Sequence, residues 1–248
     1  MRQSDSRVVA VIPARWDSTR FPGKILAKIA GEPMIAHVVR RASEARKVDH
    51  VIVATDDDRI AEVAAASGAE AVMTGECASG TDRVAKAVAE RGEWEIVVNV
   101  QGDEPLLSGD NIDVLGDGLL MDEDAAISTL CRPLEEDRIE DPNAVKVVRD
   151  VRGRALYFSR SPIPYPRHRD AAWGLWRLHL GVYGFRRNVL ERFVALPPSK
   201  LEQAEGLEQL RALENGIPIQ VLDAPHPAFG VDTPDDLRRV ERIMNNQR

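Results

Sequence analysis

Residues 8–24 read VVAVIPARWDSTRFPGK, and the fold follows from this stretch. Val8, Val9, Ala10, Val11 and Ile12 form a continuous apolar run rich in β-branched residues, the composition of a strand buried on both faces. The pattern predicts that this strand breaks at Pro13 into a loop carrying three cations, Arg15, Arg20 and Lys24. A buried strand that delivers a cationic loop at its carboxyl edge is how open α/β sheets take phosphorylated ligands. The loop is not a Walker A motif, because no glycine stands five residues before Gly23 and Ile25 fills the Ser/Thr position. A phosphate grip here has to come from Arg and Lys side chains and loop amides.

Outward from this segment, strand and helix patterns alternate. Ile35, Val38, Val39 and Ala42 repeat at i, i+3, i+4, i+7 and predict an amphipathic helix entered at Pro33. His50 to Ala54 reads as a second strand, and Ile60, Val63 and Ala64 mark a helix that Gly68 ends. Ala69 to Met73 is a third strand, followed by the SGTDR loop and a helix with Val84 and Val88 inward. Ile96 to Val100 is a fourth strand that runs into Gln101-Gly102-Asp103-Glu104-Pro105. This order predicts an α/β fold with a mostly parallel, doubly wound nucleotide-binding sheet.

The second half reads differently. Val145 to Val148 and Ala155 to Phe158 flank Asp150-Val151-Arg152-Gly153 as a hairpin. A proline-rich loop, SPIPYP, leads to a strand near His179 to Phe185. Ser199 to Glu202 forms a capping box that opens a helix (Leu207, Leu210, Leu213) closed by Gly216. Thr233-Pro234-Asp235-Asp236 opens the last helix. With no linker or repeat to divide it, the chain is expected to be a single domain, 1–248. About 1–140 would form the nucleotide half, about 141–230 a β-rich insertion for the acceptor and for dimerisation, and 231–248 a closing helix.

Composition narrows the function. Lys and Arg number 33 against 40 Asp and Glu, a formal charge of −7, which argues against nucleic acid as partner. The two cysteines, Cys77 and Cys131, make neither a CxxC motif nor a disulfide framework. A polar N-terminus and the lack of a long apolar run predict no signal peptide and no membrane insertion, and a cytoplasmic location.

Several residues could carry chemistry, and each has a plainer reading. Cationic loops are mostly solvated surface, but Arg15 and Lys24 stand at a strand's carboxyl end in a loop shaped by Pro13, Pro22 and Gly23. Asp103 could coordinate a hard divalent cation such as Mg²⁺, or could simply turn a loop. Asp232 reads first as a turn residue ahead of a helix, and spacing alone does not bring it to Asp103. Thr81 or Asp82 could cap the helix after Ser79-Gly80, and the glycine there lets a base or ribose approach the backbone. His179 and Tyr183, four residues apart on a strand, share a face. A lone histidine is more often structural than catalytic, and Glu208 and Gln209 on an amphipathic helix default to solvent.

Taken together, the segments IPARWDSTRFPGK, GEPMIAHV, VATDD, SGTDR, VNVQGDEP, NAVKVV, ALYFSRSPIPYPR, HLGVYGF, LEQLRALENG and GVDTPDDL closely resemble the 3-deoxy-manno-octulosonate (Kdo) cytidylyltransferases. They occur in family order over nearly the whole chain, and VNVQGDEP and ALYFSRSPIPY are the distinctive ones. The resemblance implies an enzyme that transfers CMP from CTP to the anomeric hydroxyl of Kdo, releasing pyrophosphate, in lipopolysaccharide synthesis. It implies that Arg15 and Lys24 bind the triphosphate and that Ala14, Ser79, Gly80 and Gln101 line the nucleotide. Asp103 and Asp232 would hold magnesium, which would orient the α-phosphate, with Arg15, Lys24 and both acids forming the catalytic set. Gln101, Arg160, His179, Tyr183, Glu208 and Gln209 match the surroundings of the sugar acid, and Arg160 suits a carboxylate as a planar fork of donors. A homodimer is implied as well, and no Ser or Cys nucleophile.

Some positions depart from the family pattern. Cys77 stands where a histidine is common, and Leu178 where a basic residue often precedes the histidine of HLG. The loop from Arg167 to Trp176 has no clear counterpart, and Trp173 and Trp176 are open to a core, lid or dimer role. These changes fall on the acceptor side, so another anionic acceptor, an 8-amino sugar acid or a phosphonate, is the alternative. A nucleotide-binding module without catalysis is disfavoured by the presence of both acids and both cations. A dinucleotide-dependent dehydrogenase is disfavoured because no GxGxxG follows the first strand.

Overall fold

The computed structural model describes residues 7–17, 21–168 and 174–246. Arg20 of the cationic loop and Trp173 lie outside the described residues. The first half comprises β1 (Val8–Ala14), the short β2 (Lys28–Ile29) and β3 (Glu32–Pro33), α1 (Met34–Ser43), β4 (His50–Thr55), α2 (Asp58–Ala66), β5 (Glu70–Met73), α3 (Gly80–Val88) and β6 (Ile96–Asn99). Next come α4 (Gly109–Leu120), β7 (Ile127–Pro133), β8 (Lys146–Arg149), β9 (Ala155–Ser159) and β10 (Arg177–Arg186). The chain closes with α5 (Arg187–Val194), α6 (Lys200–Glu205), α7 (Gln209–Glu214), β11 (Ile219–Asp223) and α8 (Pro234–Asn246).

Among the described residues, nine strands form one sheet in the order β11-β7-β10-β6-β1-β4-β5, with the β8–β9 hairpin attached to β10. β6, β1, β4 and β5 run parallel, as the strand–helix alternation predicts. β10 lies antiparallel between β6 and β7, so the second half of the chain enters the middle of the sheet. Alternate residues of β1 face opposite sides. Val8, Ala10 and Ile12 pack with Ile35, Val38 and Val39 of α1, and Val9 and Val11 pack with Val84 and Val88 of α3. Each such valine or isoleucine side chain, fully buried, contributes about 1.5–3 kcal/mol, which is why this strand is apolar on both faces. Among the described residues no helix is long and apolar enough to cross a membrane.

The structure corrects several sequence expectations. β1 does not break at Pro13 but runs on to Ala14, with Pro13 opposite Ala54 of β4. The ladder to β6 on the other side ends at Val11 and Asn99, so the missing proline N–H is not needed there. Pro33 is the cap of α1 rather than its first residue. Ser79, not Thr81 or Asp82, caps α3, its hydroxyl accepting from the Asp82 N–H at 3.1 Å. The capping box at Ser199 and Glu202 forms in full, but its helix stops at Gly206. There φ reaches +61°, and α7 starts afresh with a new direction, so one predicted helix is two.

Candidate active site

The carboxyl ends of β1 and β6 open into a cleft of about 320 Å³. Ala14, Arg15, Lys24, Ser79, Gly80, Gln101, Asp103 and Asp232, all singled out from the sequence, line it, joined by Pro13, Cys77 and Arg83. Close backbone approach shapes its floor. A Cβ on Gly102 would come within 2.9 Å of the Pro13 carbonyl oxygen, so only glycine lets the loop after β6 lie against the end of β1. Gly23 makes the cationic loop in the same way. Its φ is +69°, its N–H donates to Trp16 O at 3.1 Å, and an added Cβ would meet the Trp16 ring at 2.8 Å. The Arg59 guanidinium lies 3.4 Å above that ring and fixes it from the far side.

Lys24 is the centre of charge. Its side chain is 12% exposed, and its ammonium donates to Asp103 Oδ2 at 2.5 Å, Asp232 Oδ1 at 3.3 Å and Val231 O at 3.1 Å. The Val231 N–H in turn donates to Asp103 O at 2.8 Å. This backbone bond brings together two acids that spacing alone could not relate. Arg15 is exposed on the rim. With Arg83 held by Asp56, the cleft presents Arg15 and Lys24 and two carboxylates around an open volume, a set that matches a polyphosphate with a hard cation.

Of the residues matched to the acceptor, Gln101 lines this cleft and the others lie apart from its lining. Tyr183, Glu208 and Gln209 surround a small separate cavity with Ile127, Phe185 and Phe193. His179 and Tyr183 do share a face, their rings 5.6 Å apart, although β10 bulges between Leu180 and Tyr183. His179 is buried against the Phe158 ring, hydrogen-bonds Thr129 Oγ1 at 3.0 Å, and is held neutral by burial, its pKa pushed down to about 3. Burial, reinforced by Glu208 and Glu104, raises the Tyr183 phenol well above its ordinary value. Gln209 is buried, and its Nε2 finds no partner among the described residues. Arg160 turns to the end of α6, donating to Glu205 O at 2.6 Å, Gly206 O at 3.3 Å and Pro142 O at 2.9 Å. These three carbonyls set the plane of its fork. Leu178 is a core residue beside Lys146 of β8 and Trp176 packs against the core, whereas Cys77, expected on the acceptor side, lines the cleft with Ser79 and Gly80 because the three lie together where the loop enters α3.

A family model described as cytidylyltransferase matches residues 9–220. The 3-deoxy-manno-octulosonate cytidylyltransferase of Anaeromyxobacter dehalogenans (strain 2CP-C) is 52% identical over 239 residues, 96% of this chain and 97% of that protein. The chain belongs to the 3-deoxy-manno-octulosonate cytidylyltransferase family. The enzyme of that name from Myxococcus xanthus (strain DK1622) is 51% identical with 96% of each chain covered. A solved structure described as CMP:2-keto-3-deoxy-manno-octonic acid synthetase complexed with CTP superposes with a TM-score of 0.93 at 42% identity, covering 98% of this chain and 100% of that one. The 4-diphosphocytidyl-2C-methyl-D-erythritol synthase of Anaerococcus prevotii, at 12% identity and TM-score 0.66, shares the fold alone.

Within this family frame, the structure adds residues the motifs contained but did not single out. Arg83, 4% exposed, donates to Thr74 Oγ1 at 2.6 Å and Gly75 O at 3.0 Å and pairs with Asp56, pinning the loop that carries Cys77. Glu104, next to Asp103, is half-buried with its carboxyl Oε2 enclosed, and desolvation together with that neighbour's charge pushes its carboxyl up to about 8. Lys146, fully buried, donates to Asp141 O at 3.0 Å and Arg160 O at 2.5 Å and so supports the acceptor half from beneath. A charged residue inside an apolar strand was the available signal for Lys146, since burial of a lysine demands a set of acceptors.

Proposed function

We propose that the protein transfers CMP from CTP to the anomeric hydroxyl of 3-deoxy-manno-octulosonate, giving CMP-Kdo and pyrophosphate. The observation that carries this reading is the cleft in which Arg15, Lys24, Asp103 and Asp232 meet beside Ser79, Gly80 and Gln101. It lies in a chain that matches a CTP-complexed synthetase over 98% of its length. The sugar hydroxyl attacks the α-phosphorus of CTP in line, the bond from that phosphorus to the bridging oxygen breaks, and pyrophosphate departs. Lys24 and Arg15 face the triphosphate and offset the charge that grows on the leaving group.

Asp103 and Asp232 fit magnesium, which is bound through one or two carboxylates completed by substrate phosphate and water rather than by a protein cage. Among the described residues there is no group of three or more His, Cys, Asp or Glu side chains set to hold a metal. Two acids at the edge of a phosphate cleft suffice for such a site. Bound there, the cation supplies charge neutralisation at the α-phosphate and acidifies the attacking hydroxyl. Lys24 is ion-paired with both acids.

On the acceptor side, Gln101, Arg160, His179, Tyr183, Glu208 and Gln209 are assigned to the sugar acid. A planar guanidinium held by three carbonyls suits a carboxylate, while Glu208 and a neutral His179 suit hydroxyls. We further assign the chain to the cytoplasmic supply of activated sugar acid for lipopolysaccharide, working as a homodimer. Among the described residues β9 pairs with β8 alone and leaves Leu156 62% exposed, an edge that a second copy could cover. Pyrophosphate release tests the reading. With CTP, Mg²⁺ and Kdo it should be fast and should vanish without metal. CTP binding without release on Kdo, but with release on another sugar acid or a phosphonate, would move the acceptor assignment and leave the nucleotide half standing.

A further inference from the structure

Thr81 is 4% exposed and sits one residue past Ser79 and Gly80, which line the nucleotide cleft. Its hydroxyl turns away from the cap of α3 and donates to Glu208 Oε2 at 2.5 Å. An ionised carboxylate only accepts, so the single hydroxyl proton of Thr81 is committed to Glu208. The Thr81 oxygen then accepts from Asn99 Nδ2 in a long contact of 3.5 Å, and Asn99 Oδ1 accepts from Gln101 Nε2 at 3.4 Å. Asn99 is 1% exposed and lies directly opposite Tyr183 in the β6–β10 pairing. Every donor in this chain, from Gln101 through Asn99 to Thr81, points toward Glu208.

Glu208 needs such support because of where it stands. It precedes α7, after the left-handed Gly206, and its side chain makes no cap for that helix. We infer that Thr81, backed by Asn99, is a positioning residue that fixes the Glu208 carboxylate for the acceptor and ties it in register with Gln101 and the nucleotide. The inference rests on the assignment of Glu208 to the acceptor. One helix start thus serves both substrates: Ser79 and Gly80 face the nucleotide and Thr81 sets the acceptor carboxylate. A fixed spacing between the two subsites is what in-line attack requires, since an ångström of misplacement costs rate steeply.

The test uses four variants of the full chain, Thr81→Val, Thr81→Ser, Glu208→Gln and the double variant Thr81→Val/Glu208→Gln, with separate KM values for Kdo and CTP and a thermal midpoint for each. Valine keeps the shape of threonine and removes the hydroxyl. Thr81→Val should raise the Kdo KM by about 10-fold or more, the size of a lost hydrogen bond to a charged group, with the CTP KM unmoved and the midpoint lowered by no more than that one bond accounts for. Thr81→Ser should restore the wild-type Kdo KM. In the double variant Thr81→Val/Glu208→Gln, the Kdo KM should match that of Glu208→Gln alone, because the hydroxyl acts through the carboxylate. If Glu208→Gln raises the Kdo KM and Thr81→Val does not, the positioning role is overturned and the acceptor site stands. If neither moves it, the assignment of Glu208 falls and the inference with it. A lowered midpoint with both KM values shifted together would make Thr81 structural and also overturn the proposal.

Discussion

The Lys24 ammonium lies 2.5 Å from Asp103 Oδ2, so a residue assigned to triphosphate and a residue assigned to metal are ion-paired with each other. The same ammonium reaches Asp232 at 3.3 Å. A cation at this point keeps two like charges close together in a cleft where, uncompensated, they would repel.

Asp103→Asn keeps the shape of the side chain and removes its charge. Turnover should fall by about 10²-fold or more, on the scale of losing a preorganised group at developing charge. Circular dichroism and the thermal midpoint should be those of the parent. Near-parental pyrophosphate release would remove Asp103 from the metal assignment.

Lys24→Met should separate the two roles of the lysine. With the ammonium gone, Asp103 and Asp232 lose the counter-charge they share, and Mn²⁺ titrated without nucleotide should bind about tenfold tighter, a change of about 1.4 kcal/mol. CTP affinity and turnover should drop in the same variant. Weaker Mn²⁺ binding, read by electron paramagnetic resonance, would show that the acids do not gather a metal.

Gly102→Ala should be destabilising although alanine is the mildest of additions. The new methyl group would meet the Pro13 carbonyl oxygen at 2.9 Å and Ile25 Cδ1 at 3.2 Å, and backbone on one side cannot yield cheaply. A loss of about 1–3 kcal/mol in urea unfolding is expected, as for other overpacked sites. Parental stability would mean that the loop can lift without cost.

The sequence made the parallel sheet readable because β1 is apolar on both faces and α1 repeats at helical spacing. It also made the nucleotide cleft readable, since the cations follow the first strand and the QGDE loop follows the fourth. Neither α4 nor β7 received a sequence assignment. α4 carries Gly109, Gly116, Gly118 and four polar positions among its twelve residues, so no apolar stripe stands out. In fact Asn111 and Asp113 are buried there, Asn111 Nδ2 donating to His226 O at 2.9 Å and Asp113 accepting the N–H groups of Arg46 and Lys47 at 3.1 and 2.8 Å. The split at Gly206 was hidden because a glycine inside an apolar repeat reads equally as tolerated or as a stop. Convergence of Asp103 with Asp232 depends on a backbone bond to Val231, which no side-chain pattern encodes.

His179 gives the stability of the fold a pH dependence with a fixed sign. Burial lowers its pKa from the ordinary 6.5 to about 3, so between those values the unfolded chain binds the proton and the native chain does not. Stability from this group is therefore complete above about pH 6.5 and declines as pH falls toward 3, by up to about 1.4 kcal/mol per pH unit. His179→Phe should flatten the difference between urea midpoints taken at pH 7.5 and pH 5, relative to the parent. An equal pH dependence in both proteins would show that the imidazole takes up its proton without unfolding. For the same reason, the pH–rate profile should carry no inflection near 6.5 that this substitution removes.

The bond from the Val231 N–H to Asp103 O has a bearing on how the enzyme is made. The cationic loop and the first acid are synthesised early, whereas the second acid arrives with the segment that leads into α8. A chain halted before residue 231 still carries Arg15, Lys24, Ser79, Gly80 and Gln101 but has one carboxylate in place of two. On the assignment of both acids to the metal, the site is complete only once the segment leading into α8 has been made, and a product stopped earlier lacks the second acid.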